Sequence, residues 1–130
     1  MPRRWLVLKK NKFLHILLAV HLTLLVVSCT KYDQQIEITD LNKPQTIVLH
    51  KKPHQKDIVS MSLRVNGKID GEAQLSLMLN GTPYKTEMIK GKINIKWGGD
   101  WYADSMELIY EPHQTIKDGK IKIEYVFNAI

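Results

Sequence analysis

From about residue 46 to residue 127 the apolar positions recur every second residue. Val59, Met61, Leu63 and Val65 alternate with Ser60, Ser62 and Arg64, and Ala73, Leu75, Leu77 and Leu79 alternate with Gln74, Ser76 and Met78. The same period continues in Ile93, Ile95 and Trp97, in Met106, Leu108 and Tyr110, and in Ile121, Ile123, Tyr125 and Phe127. A period of two places one set of side chains on one face of a strand and the other set on the opposite face, so these runs predict strands with one buried and one wet face. Glycines and prolines fall between them. Asn66-Gly67, Asp70-Gly71, Asn80-Gly81, Gly98-Gly99 and Asp118-Gly119 supply residues that tolerate positive φ, as tight antiparallel connections require, and Pro83 and Pro112 close strands where a ladder donor is lost. Gly91 reads as a further turn or a bulge.

Seven or eight strands and no helix of useful length are expected, with strands spaced as in a sandwich or small barrel. An outer-membrane barrel needs apolar residues on its lipid-facing positions, and Lys, Ser, Gln and Glu stand there instead. The expected fold is therefore all-β, a small antiparallel β-sandwich over residues 45–130. Residues 29–44, rich in polar side chains and holding only the short Ile36-Glu37-Ile38 alternation, read as a tether that lets the domain stand off a surface.

Ahead of this the pattern changes. Arg3, Arg4, Lys9, Lys10 and Lys12 are followed by an apolar run from Phe13 to Val27, then Ser28 and the single cysteine, Cys29. A cationic stretch, an apolar run shorter than the roughly 20 residues that span a bilayer, and a small residue at the end form the layout of an export signal over residues 1–28. Val26-Val27-Ser28-Cys29 resembles the lipobox of bacterial lipoproteins, with valine where leucine is preferred three residues before the cysteine. The resemblance implies that Cys29 is diacylated, that the chain is cut before it, and that the mature protein is held on a membrane of the bacterial cell envelope by its lipid. Thr30 in place of Asp resembles the signal for sorting to the outer membrane, facing the periplasm.

Charge sharpens the picture once it is partitioned. The formal net charge is +6, yet all five cations of the first 28 residues belong to the signal, and residues 29–130 carry 14 Lys/Arg against 13 Asp/Glu. A nucleic-acid partner, which needs concentrated positive charge on the folded part, is not expected. One cysteine forms no intrachain disulfide, so the core must be self-sufficient.

Candidate chemistry is sparse. Among the residues after Cys29 no Gly-x-Ser-x-Gly elbow occurs, and His50, His54 and His113 lack tight metal-ligand spacing, so the chain is expected to be no enzyme and to need no cofactor. The richest cluster is Trp97-Gly98-Gly99-Asp100-Trp101-Tyr102-Ala103-Asp104. Trp101 and Tyr102 offer flat apolar faces to a protein or glycan; Asp100 and Asp104, with Glu107, offer oxygens of the kind that hold Ca²⁺. The alternative is that Trp101 or Tyr102 plugs the end of the fold while Asp100 caps its own turn. Lys85, Lys90, Lys92 and Lys96 line the wet side of one strand pair, where they block edge pairing or attract anionic headgroups or acidic glycans. The function these features suggest is a lipid-anchored, non-enzymatic module that recognises an envelope protein or glycan. An inhibitor of the lysozyme-inhibitor type and an envelope-polymer hydrolase are the alternatives.

Overall fold

The computed structural model describes residues 32–130, which form a compact unit with its own hydrophobic core. Residues 1–28, read as an export signal, and Cys29 lie outside the described residues. Six strands form one antiparallel sheet: β1 (Gln34–Glu37), β2 (Gln45–His50), β3 (Ile58–Leu79), β4 (Thr82–Asp100), β5 (Ser105–Pro112) and β6 (Gly119–Ala129). No described helix is long and apolar enough to cross a membrane.

The fold is organised by the 22-residue β3. Residues 60–69 of β3 lie between β6 and the second half of β4, and residues 73–78 lie between β5 and the first half of β4. The sheet thus has two arms, β1-β6-β3-β4 and β2-β5-β3-β4, sharing the continuous β3–β4 hairpin. Both arms feed a single hydrophobic cluster that includes Leu63, Val65, Leu75, Leu77, Leu108 and Ile123, each wholly buried. Every one of them belongs to the alternation visible in the sequence. Burying such side chains removes apolar area from water at about 25 cal/mol per Å², which is the main force holding the sheet curled.

The strand count is six among the described residues rather than seven or eight, and the strands make one curled sheet where two separate sheets were expected. Residues 59–65 and 73–79, which read as separate strands, are one strand that bends between them. At the bend the pairing register shifts between Ile69 and Glu72, with Gly91 opposite. Gly71 has φ +147°, and a Cβ there would meet the Ile116 side chain at 2.6 Å and the Thr115 carbonyl at 3.0 Å, so the chain can turn at this point only without a side chain. Gly67 is no turn at all. It lies inside β3, and a Cβ there would stand 1.9 Å from the Lys120 carbonyl, so its role is the close approach of β3 to β6. Gly98-Gly99 likewise falls within β4. Asn80-Gly81 does form the expected two-residue hairpin turn, with φ of +52° and +79°.

The segment read as a tether is folded from Gln34 onward. β1 pairs with β6 over Gln34–Glu37, Ile38 is buried, and Asn42 bridges to the main chain of Ile116, its amide donating at 3.0 Å and its carbonyl accepting at 2.7 Å. The Tyr110 hydroxyl donates to the Leu41 carbonyl at 2.6 Å, and burial pushes that phenol up from its usual pKa. Three apolar side chains, Ile36, Ile38 and Leu41, were enough to join the core despite their polar neighbours.

Candidate functional site

β4 ends at Asp100 and β5 begins at Ser105, so the cluster singled out in the sequence is the connection between them. Its backbone is fixed at both ends. The Trp101 amide donates to the Val59 carbonyl at 3.1 Å, and the Trp101 indole Nε1 donates back to the Ser105 carbonyl at 3.0 Å. With its one polar atom satisfied, the ring packs inward and only 6% of the residue stays exposed. Trp101 is therefore the plug of this end of the fold, and as a recognition residue it is corrected: a buried ring has no face to offer. Its neighbour Tyr102 turns outward and is 76% exposed.

The two carboxylates part company. Asp104 pairs with Lys51, at 3.1 Å between Nζ and Oδ1, while its carbonyl accepts from the Lys51 amide at 3.0 Å. Asp100 is exposed and pairs across the ladder with Ser60. With Glu107 out on β5, no group of three or more His, Cys, Asp or Glu able to hold a metal ion occurs among the described residues. His50, His54 and His113 are all exposed.

What the fold adds is the tip of the β3–β4 hairpin. Leu79, Asn80 and Tyr84 line, together with residues 100–103, a depression of about 400 Å³. Tyr84 owes its position to an irregularity: Leu77 pairs with Lys85 but Met78 pairs with Pro83, which leaves Tyr84 as the unpaired residue of a bulge. It is 56% exposed, and the Lys85 ammonium lies 5.7 Å from its ring centroid. Tyr84 and Leu79 were not foreseen from the sequence. The available signal was the loss of alternation over Thr82–Met88, where an edge strand carries no buried stripe until Ile89.

The remaining polar structure sits on the outward face of the β1-β6-β3-β4 arm. Arg64 and Lys122 both reach Glu124, Lys122 at 2.9 Å and Arg64 through Nε at 2.8 Å, and the Tyr32 ring lies 5.1 Å from the Arg64 guanidinium carbon. The hydrogen bond from Lys122, opposed by burial and assisted by Arg64, holds the Glu124 carboxyl below its usual pKa. Lys92 and Lys96 project from the same face, Lys90 lies on the exposed edge strand β4, and Lys85 is half-buried near the hairpin tip.

No protein-family model and no curated protein matches the chain. Among solved structures, the crystal structure of PirA is similar at 9% identity and a TM-score of 0.47, over 76% of this chain and 95% of that one. The VP2 subviral particle of infectious bursal disease virus is similar at 10% identity and a TM-score of 0.22, and this chain spans 34% of the VP2 chain's length.

Proposed function

We propose that the chain is a lipid-anchored protein of the bacterial cell envelope, attached through Cys29, that acts as a non-enzymatic binding module for an envelope protein or glycan. The attachment rests on the lipobox-like residues 26–29, and Thr30 favours the periplasmic side of an outer membrane. The observation that carries the binding role is the pair of exposed tyrosines, Tyr84 and Tyr102, that flank one depression with Leu79 and Asp100. A tyrosine brings a large flat apolar surface and a hydroxyl with few rotatable bonds, which is why it is enriched in interfaces. Asp100 adds an acceptor for a ligand's hydroxyl or amide group, and Trp101 holds the segment rigid from beneath.

A photo-crosslinking residue placed at 102 in living cells tests this reading. A discrete adduct with an envelope protein or glycan, absent when the same residue is placed at exposed Gln114, is expected, and Tyr84→Ala should abolish it. Identical labelling from both positions would refute it.

A further inference from the structure

Across the outward face of the β1-β6-β3-β4 arm the register sets three lysines side by side: Lys92 of β4 faces Lys68 of β3, and Lys68 faces Lys120 of β6. All three are exposed. Directly opposed like charges destabilise a sheet, so such a row needs a reason to exist. Guarding an open sheet edge is not that reason, because Lys68 sits in a strand hydrogen-bonded on both sides. No ion pair among the described residues reaches Lys68, Lys92, Lys96 or Lys120. Counting the outward positions of the register, the face carries Arg64, Lys68, Lys92, Lys96, Lys120 and Lys122 against Glu37, Glu124 and, at the far end of β4, Asp100, with Asp70 and Asp118 at its margin. The part of the chain after the signal is nearly neutral, so this is a concentration of charge on one side.

We propose that this lysine face lies against the anionic headgroups of a phospholipid bilayer and sets the orientation of the domain on the membrane. The inference rests on the Cys29 anchor for its occupant. Because the sheet starts at Gln34, four residues, and so five Cα-to-Cα steps, separate the anchor from β1. Fully extended they reach about 17 Å. That is too short for the domain to stand off the bilayer, and the chain arrives beside this face, with Tyr32 against Arg64. Phosphate-bearing headgroups are what the unpaired ammonium groups complement, and the depression lined by Tyr84 and Tyr102 meets this face only at Asp100, at the opposite end of the β3–β4 pairing from Lys68 and Lys92.

The test uses the compact unit, residues 32–130, which carries no lipid, so that its outcome is independent of whether Cys29 is acylated. Sedimentation with vesicles of phosphatidylglycerol and phosphatidylcholine in equal parts, at low salt and millimolar lipid, should show binding that pure phosphatidylcholine does not support. Lys68→Ala should weaken it about fivefold, and the Lys68→Ala/Lys92→Ala/Lys120→Ala variant about a hundredfold. High salt should abolish it, since exposed charges are screened within a few ångströms at 1 M. Tyr102→Ala should leave it unchanged. The lysine variants should melt at or above the parent's temperature, because each substitution relieves repulsion. Vesicle binding that is insensitive to the triple substitution, equal binding to neutral vesicles, or capture by soluble polyphosphate in preference to vesicles would overturn the proposal.

Discussion

Replacing Trp101 by alanine separates a structural ring from a recognition surface. The residue is 6% exposed and its indole donates to the Ser105 carbonyl, so truncation removes nearly the whole buried surface of a tryptophan together with one satisfied hydrogen bond. Deleting a buried Trp costs about 3–5 kcal/mol, and the lost bond belongs to the same total because the cavity and the freed carbonyl arise together. A domain of this size has about 5–15 kcal/mol of stability in all, and each kcal/mol shifts its midpoint by about 4–8 °C. Trp101→Ala should therefore lower Tm by at least about 12 °C. Trp101→Phe keeps most of the apolar volume and loses the hydrogen bond, so it should fall between. Tyr102→Ala, one residue on but outward, should stay within about 0.5 kcal/mol of the parent. Thermal melts followed by circular dichroism at several scan rates measure all three. A Trp101→Ala variant melting within about 3 °C of the parent would refute the plug and return the indole to the list of recognition residues.

Two further outcomes follow from the core and from the charged face. Glu124 titrates below its unfolded value because Lys122 and Arg64 bind the carboxylate, so its contribution is present above the ordinary carboxylate range and disappears as pH falls through the depressed value. Tm should drop through this acid window in the parent and drop less in Glu124→Gln; parallel profiles would show that the network contributes nothing. A chain starting at residue 45 lacks β1, Ile38 and the Asn42 bridge to Ile116, and should unfold at a lower denaturant concentration than residues 32–130, with equal midpoints contradicting the inclusion of this segment in the fold.

The buried stripe was legible because each strand declares its own two faces: Leu63, Leu75, Leu108 and Ile123 were assigned to the core from period alone and are wholly buried. The strand count was not legible, because Asn66-Gly67 and Asn80-Gly81 look alike locally. One is a close crossing inside β3 and the other a true turn, and only the backbone of a distant strand, Lys120 in the first case, makes the difference. Trp101 and Tyr102 are adjacent aromatics with the same local signal; which one enters the core depends on the Val59 and Ser105 carbonyls, which sequence does not place. The lysine face shows the same limit. Lys92 and Lys96 announce a wet side of β4, whereas Lys68 and Lys120 join them only through a register that spans dozens of residues. Tyr84 needed a bulge to reach its position, and no alternation marks a bulge in an edge strand.

The lipid anchor proposed at Cys29 bears most directly on the proposed role, since both the proposed envelope location and the short reach to β1 rest on it. Cells expressing the full chain should yield a protein that incorporates labelled palmitate and enters the detergent phase, and Cys29→Ser should leave an unlabelled precursor with its signal uncleaved. Equal labelling and equal processing of the two chains would contradict lipid attachment at this residue.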